Sequence, residues 1–462
     1  MIKSGQSPGP TLVRAVHFFR PAIGVAARAC VPSGRNLRAS RSGHGSRLFT
    51  GTGDPGWSAS SGGDEGLMPS AYLPLLRTPG AAAFFLSAAA GRVGIAMTGL
   101  GLIWLVHART GSYGTAGLAT AGFAVTEALL GPYLARLIDR FGQPRVLPFA
   151  LVAHGAAIAA VLAARTPAAM IVAATCAGAA VPQLGALTAA RWAHLLRPNE
   201  ANQTKPADRA GELATAFSLE SLANATAFLL GPVLVAGLGA AGNPAVASAI
   251  AAALILIGGG TLAAQHRTAP PPRKAGTGGG PPAFVPLLGG LHLAVGVYFG
   301  TLSVAITAFA VGQGTPGAAA PIILAASLGG LLSGWFYGRR RRRAPVTVQL
   351  VAVTAYLTGT ALLLPVAPSP VWLGAAAVLT EAAVPPTLVL LAVLTERSVR
   401  PAVLTEAFTW NNSSTAAGSA IAAALAGRLA DSAGTSAAFA LAPAAGLALL
   451  ALALAAGRVR TR

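Results

Sequence analysis

Twelve apolar runs, each about as long as a lipid bilayer is thick, constrain this chain more firmly than any motif in it. They lie near residues 81–106, 114–137, 146–164, 168–190, 213–237, 244–263, 284–310, 317–337, 346–366, 370–394, 402–426 and 436–457. A helix rises about 1.5 Å per residue, so about 20 apolar residues cross the roughly 30 Å hydrocarbon core. The expected fold is an all-α membrane protein of twelve transmembrane helices in two six-helix bundles.

Composition excludes the main alternatives. Charged residues are 10% of the chain and hydrophobic residues 54%, against about 25% charged in an average soluble domain. That leaves too little polar side chain to cover a water-facing surface, so a soluble enzyme, a disordered chain and a coiled coil all fit poorly. The net charge of +20 fits anionic lipid at the membrane surface better than nucleic acid on so apolar a chain. Cys30 and Cys176 stand far apart, which gives neither a disulfide framework nor a zinc site.

Residues 1–67 hold eight basic residues among many Gly and Ser and no long apolar run. They are expected to form a disordered N-terminal extension; a start at Met68 and a cytoplasmic tail are the two readings of it. The N-terminal bundle is expected over 68–264. A Pro- and Gly-rich cytoplasmic linker follows over 265–283, and the C-terminal bundle over 284–462. One alternate set of loops and the C-terminus carries twenty Lys and Arg, including Arg339 to Arg343, against three in the other set, Arg109, Arg165 and Arg428. The positive-inside rule then puts both termini in the cytoplasm. The halves also echo each other. Gly131 and Gly334 each precede a basic loop 203 positions apart, and Ala216-Phe217-Ser218 matches Ala407-Phe408-Thr409 at 191.

The loop after the second run reads Ala135-Arg136-Leu137-Ile138-Asp139-Arg140-Phe141-Gly142-Gln143-Pro144-Arg145. With Asp139, Arg140 and Gly142 in register, it resembles the loop signature of the major facilitator superfamily, G-x-L-x-D-R-x-G-R-R. Ala135 and Gln143 depart from that pattern. The resemblance implies that Asp139 meets the start of helix eleven near Thr405 and Glu406, with Arg140 offsetting Glu406. In helix five, Gly231-Pro232 resembles the opening of the G-P-x-x-G-G motif of superfamily exporters. Pro232 is expected to bend the helix. Ala223, Ala227 and Gly231 give a small-residue face for close packing.

Ionisable groups inside a membrane are costly and mark function. Arg92 and Glu127 reach similar depth on consecutive helices and are expected to pair, either as a proton switch in which protonation of Glu127 releases Arg92 or as a static staple. Glu381, near Pro385-Pro386, is expected to bind a proton or a cationic substrate. Glu127, Arg92 and Glu381 are therefore the proton-coupling candidates. The superfamily resemblance implies a central path lined by helices one, four, seven and ten. Gln183, His292, Tyr298, Thr301 and Ser303 are the substrate-cavity candidates there. Glu220 with Asn224, Glu406 and His154 are read as interhelix contacts.

No G-x-x-x-x-G-K-[ST] or H-E-x-x-H occurs, so neither a P-loop ATPase nor a zinc protease is read. The expectation is a secondary transporter of the plasma membrane and not an enzyme. The resemblance implies drug:proton antiport, with metabolite uptake as the alternative and a membrane-embedded enzyme or receptor more remote. No cofactor, metal or nucleic acid is expected. The partners are a small-molecule substrate, protons and membrane lipids, and the working unit is a monomer.

Overall fold

The computed structural model describes residues 72–197, 206–240, 243–272, 285–340 and 344–459. The N-terminal extension over 1–67, most of the expected linker, and Arg341, Arg342 and Arg343 lie outside the described residues. A short helix α1 (Tyr72–Arg77) leads into α2 (Ala81–Thr110), α3 (Tyr113–Phe141), α4 (Gln143–Ala163), α5 (Pro167–Ala179), α6 (Leu184–Leu195), α7 (Pro206–Ala240) and α8 (Pro244–Ala264). After the linker come α9 (Val285–Gly312), α10 (Ala319–Arg339), α11 (Val346–Ala361), α12 (Pro370–Glu381), α13 (Val384–Ser398), α14 (Leu404–Ala433), α15 (Thr435–Phe439) and α16 (Leu441–Val459).

Ten of the spans are long and apolar enough to cross a membrane, α5–α6, α12–α13 and α15–α16 each counting as one. Helix α11 is a shorter apolar helix. Helix α14 makes the twelfth span and is more polar, with Glu406, Asn411, Asn412, Ser413, Ser414 and Thr415 in its first half. Its buried residues Phe408, Thr409 and Asn411 face protein rather than lipid. The polar first half therefore reflects packing between the two bundles.

Local chemistry sets where the spans begin. Ser112, Thr166 and Ser369 accept from the backbone N–H three residues on, which satisfies an amide that has no partner within the helix. Pro144, Pro167, Pro244 and Pro370 stand in first turns, where a missing N–H costs nothing. Gly142 alone joins α3 to α4. Its φ of 92° is open to glycine at little cost, and its N–H closes α3 on the Ile138 carbonyl at 2.7 Å.

Two spans are interrupted. The fourth unwinds over Ala180–Gln183 around Pro182, and the tenth breaks over Ala382–Ala383, ahead of Pro385-Pro386. Each run reads as one helix in the sequence, but proline removes a ladder donor and crowds the preceding turn. Pro232 also lacks the ladder donor, but α7 runs through it unbroken. There the small-residue face packs as expected. A Cβ on Gly231 would lie 2.8 Å from the Ala96 Cβ and 3.1 Å from the Met97 backbone nitrogen of α2. Gly231→Leu should therefore force α2 and α7 apart. We expect about 1–3 kcal/mol of destabilisation, read as a thermal midpoint several degrees lower in detergent. Gly231→Ala should cost less.

Candidate functional site

The helices alternate in direction, so the ends carrying Arg136, Arg140, Arg145, Arg209, Arg339 and Arg397 lie together. We call this the basic end. Two seams join the bundles there. In the first, α3 meets α14: Asp139 Oδ2 accepts from the backbone N–H of Glu406 at 2.9 Å. A carboxylate at the start of a helix satisfies an orphan amide and opposes the helix dipole. Glu406 in turn accepts from Arg136 Nε at 2.9 Å and Nη2 at 2.6 Å. The expected partner of Glu406 was Arg140, and the structure corrects this. Arg136 precedes Asp139 by three residues and shares its face, whereas Arg140 is turned about 100° away. The Arg140 guanidinium lies over the Phe141 ring instead, 5.1 Å from its centroid.

The second seam joins α7 to α10 through hydroxyls on backbone carbonyls. Thr215 Oγ1 donates to Gly338 O at 2.9 Å and Ser218 Oγ to Gly334 O at 2.7 Å. The two glycines carry no Cβ to hold α7 off. Arg209 Nη2 bonds Glu396 Oε1 at 2.7 Å beside this seam, and Phe217 meets Phe408 edge-on at 5.8 Å.

Away from the basic end the bundles part. Along α3, Ala135 and Gly131 are buried, Glu127 and Ala128 are half-buried, and Ala124, Ala121 and Gly117 are exposed. Along α14, Thr405 and Thr409 are buried, Ser413 is half-buried, and Ala417, Ala420 and Ala424 are exposed. Helix α10 follows the same course: Gly338, Gly334 and Gly330 are buried, Ser327 is half-buried and Leu324 exposed. The faces that meet at the basic end are thus exposed toward the other.

Two carboxylates sit where the seams end. Glu127 lies one turn beyond Gly131, at which α3 touches Thr409 of α14. Its Oε1 accepts from Gln183 Nε2 at 3.1 Å, and Gln183 belongs to the unwound part of the fourth span. Glu381 closes α12 at the break in the tenth span and accepts from Tyr298 Oη at 3.2 Å. A Cβ on Gly330, one turn beyond Gly334, would lie 3.2 Å from its Cγ. Glu127 and Gly330 are 203 positions apart, as are Gly131 and Gly334. The second half thus has a glycine where the first has its glutamate, and a glutamate from the broken tenth span fills that space. Both carboxylates are half-buried.

Arg92 does not pair with Glu127. Equal depth was the basis of that expectation, but depth fixes height and not direction around the helix. Arg92 instead points at α6 and α7, where it bonds Glu220 and Thr188. Thr188 Oγ1 lies 2.8 Å from Glu220 Oε2, and Trp192 Nε1 donates to Glu220 Oε1 at 2.7 Å. The Arg92 Nε is buried without a hydrogen-bond partner, and a Cβ on Gly185 would lie 3.7 Å from it. Glu220 is thus the interhelix contact expected of it, and His154 likewise bonds the Ala177 carbonyl at 2.9 Å.

Of the cavity candidates, Gln183 and Tyr298 are directed at the two carboxylates. His292, Thr301 and Ser303 bond carbonyls of their own helix, those of Leu288, Val297 and Gly300, and do not join a common site. Arg191, counted among the loop charges from the sequence, is fully buried in α6. It bonds Gln143 Oε1, Leu262 O, Gln265 O and Thr268 Oγ1. Gln143, a departure from the loop pattern, is what receives it.

The family model of the Major Facilitator Superfamily matches residues 84–379, and the chain belongs to that superfamily. Its members are transporters. Among solved structures it is similar to the human organic anion transporter MFSD10 (TETRAN), with a TM-score of 0.62 at 17% identity over 80% of this chain and 98% of that one. It is also similar to a bacterial homologue of the iron transporter ferroportin in an outward-facing state (0.66 at 12%, over 82% and 99%). A third is the transporter FucP in its outward conformation (0.60 at 14%, over 80% and 97%). At these identities the likeness is one of fold. No curated protein matches by sequence.

The Arg92–Glu220 pair yields a direct test. Arg92→Leu leaves a carboxylate buried without its cation and should cost about 3–5 kcal/mol, with a lower thermal midpoint and poor yield of folded protein. Arg92→Leu combined with Glu220→Gln removes both charges and should recover most of that loss. Equal loss in the single and double variants would contradict the pairing.

Proposed function

We propose that the protein is a secondary active transporter that exports a small molecule in exchange for protons by alternating access. The observation that carries the proposal is the arrangement of two bundles joined by seams at one end and exposed on the same helix faces toward the other, with a carboxylate at the inner limit of each seam. Charge in the loops supports placing the basic end in the cytoplasm, so that this is an outward-open state. The outward-facing neighbours are in keeping with it.

In this reading Glu127 and Glu381 take protons from the outer side. A neutral carboxyl is carried into the closed protein at far lower desolvation cost than a charged one. Proton loading therefore favours closure of the outer end and rupture of the two seams. Asp139 then leaves the amide of Glu406, and Arg136 leaves its carboxylate. Water entering from the cytoplasm receives the protons, the substrate binds, and the return step exports it. Arg92 acts from its place beside Glu220 and not through Glu127. It positions α7, whose Thr215 and Ser218 make the second seam.

A thermal-shift screen of the purified protein with small organic compounds selects a ligand for transport in proteoliposomes under an imposed pH gradient. Glu127→Gln should abolish gradient-driven transport and keep ligand binding. Glu381→Gln should lose only the proton-dependent component. Wild-type pH dependence in both would rule these residues out as the coupling site, and ligand movement down the proton gradient would replace export with uptake. Asp139→Asn keeps an acceptor but loses the charge at the start of α14, worth about 0.3–1 kcal/mol. It should slow transport without changing membrane insertion. A cysteine placed within 339–343 that is labelled from outside intact cells would overturn the orientation.

A further inference from the structure

The helix α1 precedes the first span and, by chain connection, belongs to the N-terminal bundle. Its Leu75 is buried, 6% exposed, and holds the helix against the core. From there Tyr72 crosses to the other bundle. Its hydroxyl donates to the Trp335 carbonyl of α10 at 3.0 Å, with the Gly334 carbonyl 3.5 Å away. Burial pushes the Tyr72 phenol above its usual value, so the group keeps its proton and donates throughout the physiological range.

The receiving surface is built for this contact. A Cβ at Gly338 would fall on the Tyr72 Oη and the Ser218 side chain, so only a glycine there admits both. Three hydroxyls, from Tyr72, Thr215 and Ser218, thus reach about one turn of α10 backbone. The Thr215 and Ser218 bonds come from a spanning helix that must itself move. The Tyr72 bond comes from outside the span and bridges the two bundles between the Gly334 and Gly338 acceptors of the seam. The Arg339 guanidinium lies over the Trp335 ring of the same turn, 4.3 Å from its centroid.

We propose that α1 is a strap whose Tyr72 hydroxyl locks the α7–α10 seam shut, so that it sets how often the basic end opens. The proposal rests on the alternating-access reading. Contacts made in one state and absent in the other shift the balance between them by their full difference. The strap's bond exists only while α10 lies against the N-terminal bundle. It is uncharged, unlike the Asp139–Glu406–Arg136 seam, so salt should weaken the first seam and leave the strap unaffected.

The test uses the full chain in detergent with Cys30 and Cys176 replaced by Ser and Ala135→Cys as reporter. Ala135 is 2% exposed in the α3–α14 seam, so a maleimide reaches a thiol there only when the basic end opens. Tyr72→Phe keeps the ring and removes the hydroxyl. It should raise the alkylation rate about 2- to 12-fold, the range expected for one net hydrogen bond. Leu75→Ala, which loosens the strap at its anchor, should act in the same direction if Tyr72→Phe folds poorly. Unchanged alkylation in both variants, with or without a lower thermal midpoint, would make α1 a structural appendage and overturn the strap. If the reporter thiol in the parent is never alkylated in the native state, the basic end does not open, and the alternating-access reading itself fails.

Discussion

A polar group in hydrocarbon has no water to turn to, so it must find its partner inside the protein or open a path to solvent. Almost every feature of this chain follows from that demand. Glu220 is surrounded by donors from Arg92, Thr188 and Trp192. Arg191 spends its guanidinium on two side chains and two carbonyls. These networks are fully internal and fix the N-terminal bundle as a unit. Glu127 and Glu381 differ from them. Among the described residues, each has one neutral donor and no ion-pair partner, and each stands half-buried where the bundles begin to part. In the proposed cycle, the groups that stay partnered hold the bundles rigid, and the two carboxyl groups at the ends of the seams respond to protons.

The two seams reach the same end by different chemistry. Between α3 and α14 the closure is electrostatic, a helix start held by Asp139 and a guanidinium shared with Glu406. Between α7 and α10 it is steric and uncharged, with hydroxyls seated on carbonyls that glycine leaves bare. Along α3 and α10 the halves are related by an offset of 203, but at Glu127 that relation falls on Gly330. The carboxylate that the first half places on its second helix arrives in the second half from its broken fourth helix. Such a swap keeps a carboxyl group at the inner limit of each seam while its donor changes from Gln183 to Tyr298.

Much of this was legible in the sequence. The span count followed from run length, and the meeting of Asp139 with the start of helix eleven was what the loop's resemblance to the superfamily signature implied. Less was legible where direction around a helix decides the contact. Arg92 and Glu127 have the same depth, and nothing in one sequence says which way either points. Arg136 and Arg140 are both one step or one turn from Asp139, and only the 100° rotation per residue separates them. Arg191 stands at the end of an apolar run and looks like a loop charge, because its four partners come from α4, α8 and the chain after α8. Tyr72 lies before the first span and carried no signal at all, since its acceptors are backbone carbonyls more than 260 positions away.

The central claim is that the bundles turn about the level of the two carboxylates, so that one end closes as the other opens. Distance distributions by pulsed electron resonance measure this directly. One spin-label pair at Phe141 and Ala344 spans the basic end, and a second at Leu118 and Leu425 spans the far end of α3 and α14. The account predicts reciprocal change: as pH is lowered, the first distance lengthens while the second shortens, and Glu127→Gln with Glu381→Gln mimics low pH. Distances that stay fixed in both pairs, or that lengthen together, would contradict it.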